Sequence, residues 1–256
     1  MVSSPEQRLR AFKTNGKKLA ALTAYDYPGA KLLDEAGIDL LLVGDSLGMV
    51  VLGYEDTTEV SLADILHHLR AVRRGTTNSL LLADLPYNTY PNKETALKTA
   101  EQLMEAGAQF VKLEGGTAQA EKVKYIVDAG IPVVGHIGML PQQVKIEGGY
   151  KKKGKTPEAA AILLQDAKDL EAAGACALVI ESTKTPVATK ITEAVNIPTI
   201  GIGAGFKTNG QILVTHDLLG SFPWFCPPFA ITRAKVAEDT LQAAKEYLEA
   251  VRAGKN

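Results

Sequence analysis

The chain has 256 residues, 46% of them hydrophobic, with 28 Lys and Arg against 29 Asp and Glu and a formal net charge of −1. That length suits one (β/α)8 barrel spanning residues 1–256, and the near-neutral balance offers no electrostatic reason to expect nucleic acid or an anionic membrane as partner. No apolar stretch approaches the roughly 18 residues of a membrane span, residues 1–18 are too polar for a signal peptide, and the distant Cys176 and Cys226 lack metal-ligand spacing, so a reduced, cytoplasmic setting is expected.

In chain order, residues 18–25 read as a first strand and 28–36 as a helix closed by Gly37. A second strand runs from Leu40 to Asp45, 53–58 form a loop, and 61–74 have helical spacing behind Ser61-Leu-Ala-Asp64, which resembles a capping box. Strand three ends at Asp84, helix 92–106 stops at Gly107, strand four is 110–113, and helix 117–129 stops at Gly130. Strand five ends near His136, and a glycine- and lysine-rich loop, 146–156, precedes helix 157–173 and Gly174. Strand six ends at Glu181, helix 185–195 follows, strand seven ends at Gly201, and 211–215 read as strand eight. Residues 234–253 form an amphipathic C-terminal helix. Strands alternating with helices imply parallel βαβ units. A doubly wound sheet uses the same units, but the count of eight favours closure into a barrel.

Six apolar runs stop at chemically active residues: Asp45-Ser46, Asp84, Lys112-Leu-Glu114, His136, Glu181 and the glycines of Gly201-Ile-Gly-Ala-Gly205. Parallel strands bring such ends to one rim, where barrel enzymes do their chemistry. Asp45 and Asp84, at neighbouring strand ends, repel each other unless a cation intervenes. Mg2+ is usually held by one or two carboxylates plus water and substrate oxygens, and Glu114 can join it directly or through a water. Zinc suits this oxygen-rich set less well. The alternative for either aspartate alone is a helix cap or an arginine partner.

Lys112 can neutralise a substrate carboxylate or an oxyanion. It can also form a Schiff base, though neighbouring carboxylates favour its protonated form. His136 has small neighbours that leave room for a ligand, or it is a satisfied core histidine. Glu181 stands apart from the acidic pair and suits a general base, or it contacts the following helix. Ser46 binds a substrate carboxylate or caps a helix. The glycines at 201–205 make a phosphate cradle, a tight turn or room for a flat ring. The segment from Tyr150 to Lys155 is a lid, an anion funnel or a solvated loop.

Together the phrases Thr23-Ala-Tyr-Asp26, Leu42-Val-Gly-Asp-Ser-Leu-Gly48, Leu81-Leu-Ala-Asp-Leu-Pro86, Val111-Lys-Leu-Glu-Gly-Gly116, Gly135-His-Ile-Gly138, Gly148-Gly-Tyr-Lys151 and Ile200-Gly-Ile-Gly-Ala-Gly205, with Asp217 downstream, resemble the ketopantoate hydroxymethyltransferase family. The likeness departs from the pattern around Glu181-Ser-Thr-Lys184 and over 221–229, where Trp224 and Cys226 stand. It implies a TIM barrel that transfers a one-carbon unit from 5,10-methylenetetrahydrofolate to 3-methyl-2-oxobutanoate. Asp45 and Asp84 would hold Mg2+, with Glu114 second to them. Glu181 would take the C3 proton, Ser46 and Lys112 would bind substrate oxygens, and His136 would meet the new hydroxymethyl group. The glycines at 201–205 would admit the folate. Family members form homo-oligomers, commonly decamers, with 222–229 and the terminal helix as interface candidates. The enzyme alternative is a Mg2+-dependent lyase or mutase of the phosphoenolpyruvate mutase and isocitrate lyase group, whose Lys-Lys-Cys-Gly-His-type loop this chain lacks.

Overall fold

The computed structural model describes residues 3–255. Two compact units are distinguished, one ending at Ile212 and one beginning at Leu213. The sequence reads as one barrel domain throughout. The barrel strands lie in the first unit, apart from Leu213 at the end of the eighth, and the amphipathic helix belongs to the second.

The chain opens with a helix that the sequence reading missed, α1 (Pro5–Thr14), started by a Ser4/Gln7 capping box and Pro5 in its first turn. Strands and helices then alternate: β1 (Leu19–Thr23), α2 (Tyr27–Glu35), β2 (Leu40–Val43), a short α3 (Leu47–Val50), α4 (Leu62–Gly75) and β3 (Leu80–Asp84). They continue as α5 (Lys93–Glu105), β4 (Phe110–Glu114), α6 (Ala120–Asp128), β5 (Val133–Gly138), a short α7 (Val144–Glu147), α8 (Pro157–Ala172), β6 (Ala177–Glu181), α9 (Thr185–Ala194), β7 (Thr199–Ile202) and β8 (Gly210–Leu213). All strand pairs are parallel, and β1 to β8 close into a barrel in sequence order. The expected (β/α)8 architecture is therefore present. The expected Ser61/Asp64 capping box starts α4. β8 starts one residue and ends two residues earlier than expected, and Thr215 begins a helix instead.

Side chains alternate between the two faces of each strand. Leu41, Val43, Leu81, Val111, Leu113, Val133, Leu178 and Ile180 pack outward against Ile65, Leu69, Leu103, Ile126, Leu170 and Ile191 of the helices. The intervening residues, Leu40, Leu42, Leu80, Leu82, Phe110, Val134, Val179, Ile200 and Ile212, fill the interior. Leu9 of α1 joins that interior cluster and is fully buried. The helix is mostly polar because Leu9, with the partly buried Phe12 beside it, does its packing. Leu9→Ala is expected to lower unfolding free energy by about 2–5 kcal/mol, as large-to-small core changes do, measurable by urea denaturation.

In the second unit, α10 (Thr215–Leu219) is followed by the aromatic stretch 222–229, where the Phe222 and Trp224 rings meet edge to face at 5.2 Å. The last helix, α11 (Val236–Arg252), buries none of its residues. Among the described residues, no helix is long and apolar enough to cross a membrane.

Candidate active site

The strand alternation that fills the floor with leucines carries polar groups into the mouth. Asp84 lies two residues beyond Leu82, Lys112 and Glu114 lie two and four beyond Phe110, His136 lies two beyond Val134, and Glu181 lies two beyond Val179. Parallel register sets Asp84 beside Lys112, Glu114 beside His136 and Glu181 beside Gly138. Asp45 follows β2, and its N–H donates to Asp84 Oδ2 at 3.1 Å.

These groups form a continuous chain of contacts. Lys112 Nζ lies 3.0 Å from Asp84 Oδ1 and 4.0 Å from Glu114 Oε1. His136 Nδ1 is 3.4 Å from Glu114 Oε1, and its Nε2 is 3.2 Å from Glu181 Oε2. Asp45, Asp84, Lys112, Glu114 and His136 are buried, while Glu181 is partly open. Ser46 immediately precedes α3, its side chain makes no capping hydrogen bond to it, and its Oγ lies 2.8 Å from the Tyr25 hydroxyl.

Burial, then repulsion from Asp84 and Glu114, pushes Asp45 well above the usual carboxylate range. Burial also raises Asp84, against the pull of Lys112 and the Asp45 N–H. For Glu114 burial is outweighed by His136, Lys112 and the Gln142 N–H, and its pKa falls. Burial of Lys112 is outweighed by Asp84, Glu114 and Asp45, so its ammonium form persists beyond the ordinary lysine range. Four carboxylates thus face Lys112 and His136, and full ionisation leaves a charge deficit that a divalent cation matches. An all-oxygen pair, Asp45 and Asp84, raised by burial, fits a hard cation that keeps waters and substrate oxygens. Among the described residues no group of three or more His, Cys, Asp and Glu is placed to hold a metal. Glu114 is turned to His136 and to the Gln142 backbone N–H, at 3.0 Å.

Burial and Lys112 press the His136 pKa down, but Glu114 and Glu181 outweigh them and raise it to about 9. Its cationic form therefore stabilises the fold in full below about 6.5, and that contribution is lost as pH rises through about 9. The 15N-imidazole resonances of His136 in the metal-free chain are expected to titrate near pH 9, with no change between pH 5 and 7.

The loops around Glu181 are tightly specified. Gly138 has φ +97°, and a Cβ there would come within 2.2 Å of the Glu181 carbonyl oxygen. That carbonyl accepts the Met139 N–H at 3.0 Å. The lysine-rich loop is stitched to the exit of β6: Lys153 N–H donates to the Ser182 carbonyl at 2.8 Å, and Lys184 N–H donates to the Lys153 carbonyl at 3.0 Å. Tyr150, Lys151, Lys152 and Lys155 of that loop are exposed. Gly201 packs against Thr208 and Gln211, and a Cβ there would come within 2.7 Å of Thr208 Oγ1.

Three side chains at this rim are given no role by the sequence reading. Tyr25 meets Ser46, and Tyr90 donates from its hydroxyl to Gln142 Oε1. Gln142 sits in the short turn Pro141–Gln143 after β5. Its position in a βα loop was the available signal, since every such loop borders the mouth.

Fold and site together define a barrel enzyme with an acid–base constellation at its C-terminal rim. The model of the family described as ketopantoate hydroxymethyltransferase matches residues 5–256. A 3-methyl-2-oxobutanoate hydroxymethyltransferase from Ignicoccus hospitalis is 52% identical over 241 residues, covering 94% of this chain and 91% of the relative. One from Erwinia tasmaniensis is 49% identical, covering 96% and 93%. The chain belongs to the ketopantoate hydroxymethyltransferase family and is a transferase. Among solved structures, phosphonopyruvate hydrolase has a TM-score of 0.68 at 17% identity, covering 99% of this chain and 89% of that one. 2,3-Dimethylmalate lyase, of the PEP mutase/isocitrate lyase superfamily, has a TM-score of 0.62 at 16%, covering 98% and 89%. These two share the fold alone.

Proposed function

We propose that the chain transfers a hydroxymethyl group from 5,10-methylenetetrahydrofolate to 3-methyl-2-oxobutanoate, forming 2-dehydropantoate with the help of Mg2+. The observation that carries this reading is the separation of tasks around one mouth: a buried carboxylate pair on one side, and Glu181, joined to it through His136 and Lys112, on the other. Phosphonopyruvate hydrolase, of the same fold, has been crystallised with oxalate and Mg2+.

Asp45 and Asp84 hold the ion, with Glu114 behind them. Bound there, Mg2+ supplies Lewis-acid polarisation of a 2-oxo group and offsets the negative charge that develops on proton loss. Lys112 and Ser46 bind the oxygens of the acid. Glu181 takes the proton from C3, because of the four carboxylates it alone is not buried. His136, cationic at neutral pH, orients that carboxylate and contacts the new hydroxymethyl group. The loop 201–205 borders the mouth where the larger co-substrate enters.

The test is exchange of the C3 hydrogen of 3-methyl-2-oxobutanoate in D2O, followed by NMR, with and without Mg2+. Wild-type protein is expected to exchange it with Mg2+ present and to form product when the folate is added. In Asp84→Asn, exchange is expected to stop responding to Mg2+. A metal response unchanged in that variant sinks the metal assignment, and wild-type protein showing neither exchange nor product sinks the whole reading.

The same reading includes a cytoplasmic location and assembly into a homo-oligomer, a decamer by family likeness. In support, Trp224 is 81% exposed and α11 buries no residue. Sedimentation velocity of the full chain checks the assembly.

A further inference from the structure

Gln142 is 2% exposed, and among the rim residues it stands out because both ends of its side-chain amide and its backbone N–H are engaged. One amide Nε2–H donates to Asp45 Oδ2 at 2.7 Å and the other to the Leu85 carbonyl at 3.1 Å. Its Oε1 accepts from the Tyr90 hydroxyl, and its backbone N–H donates to Glu114 Oε2 at 3.0 Å. A turn after β5 is thereby bonded to the exits of β2 and β3 and to the end of β4.

This pattern fixes the amide's orientation. Flipping it would set Oε1 against two acceptors, Asp45 and Leu85, and would leave the Tyr90 hydroxyl facing an N–H donor. A buried polar group without its partner costs about 1–3 kcal/mol, so one orientation dominates. The orientation in turn decides which oxygen of Asp45 is taken. Oδ2 is held by Gln142, and the carboxylate cannot rotate without breaking a buried charge-assisted hydrogen bond. The same residue holds Glu114 by its backbone, and Glu114 faces the His136 ring.

We propose that Gln142 is a positioning residue for the metal-side carboxylates, with Tyr90 keying its amide; this rests on the reading of Asp45 and Asp84 as the Mg2+ ligands. Gln142 aims Asp45 rather than touching the substrate. Groups that orient a metal ligand typically carry 10- to 100-fold of metal affinity.

The experiment measures Mn2+ binding to the full chain by electron paramagnetic resonance, without substrates. The proteins compared are wild type, Gln142→Met, which keeps the volume and removes the amide, Tyr90→Phe and Asp84→Asn. Thermal unfolding is followed in parallel. Gln142→Met is expected to bind Mn2+ about 10- to 100-fold more weakly than wild type, and Tyr90→Phe about 2- to 10-fold, the worth of one hydrogen bond. Folded variants that bind within twofold of wild type overturn the proposal while Asp84→Asn still loses affinity. If Gln142→Met does not fold, Tyr90→Phe decides by the same criterion. If wild type and Asp84→Asn bind Mn2+ alike, the metal assignment is wrong and the positioning role falls with it.

Discussion

Glu181→Gln is expected to slow Mg2+-dependent exchange of the C3 hydrogen of 3-methyl-2-oxobutanoate by roughly 10²- to 10⁴-fold, the usual share of a positioned general base. The amide keeps the size of the side chain and a polar contact to His136 Nε2, now 3.2 Å from Glu181 Oε2, but it cannot accept the proton. Because Glu181 lies outside the buried carboxylate pair, Mn2+ affinity of the variant is expected to match wild type. That combination separates it from Asp84→Asn, in which metal response is lost. A Glu181→Gln enzyme exchanging at the wild-type rate would remove Glu181 from the proton transfer.

Lys112→Met is expected to lower unfolding free energy by about 3–5 kcal/mol near neutral pH, because a buried ion pair that loses one partner leaves uncompensated charge. Here the orphaned group is Asp84, 3.0 Å from the ammonium, with Asp45 and Glu114 beside it. Without the ammonium, these carboxyls hold their protons to higher pH folded than unfolded. The folded state then binds more protons, so stability falls as pH rises through that window. The deficit against wild type is therefore largest at neutral pH and shrinks in acid, which denaturant titrations at several pH values can resolve. In wild type, Lys112 contributes below its ordinary pKa of 10.5 and beyond it, and loses that contribution only in strong alkali.

The rim was legible in the sequence because each strand announces its own end. An apolar run buried on both faces stops where a titratable residue enters the mouth, as at Leu82 to Asp84 or Val179 to Glu181, so identity and placement come from the same few letters. Helix stops were legible for a similarly local reason: in the Ala-Gly pairs ending at Gly37, Gly107, Gly130 and Gly174, each glycine takes positive φ. α1 was not, since a helix that buries little beyond Leu9 has almost no apolar stripe to detect, although Ser4-Pro5 and Gln7 wrote its start plainly. β8 drifted because a strand of four residues running into α10 has no apolar contrast at its end. Gln142 was invisible for another reason. Its importance consists of partners 57 and 97 positions away, Leu85 and Asp45, and no local pattern encodes such distances.

The leucine at the base of the barrel has a kinetic consequence. Leu9 and the interior leucines fill the floor of the barrel, so among the described residues Glu181 and the groups joined to it face the opposite rim, and that rim is the approach for whatever reaches them. Two molecules of unequal size that share such an approach pass through it in turn. On the proposed reading, a small acid seated near the carboxylates would go in ahead of the bulkier carbon donor, and the product formed beneath that donor would wait for it to depart. On that reading, the order of traffic would be set at the end of the barrel where no chemistry occurs.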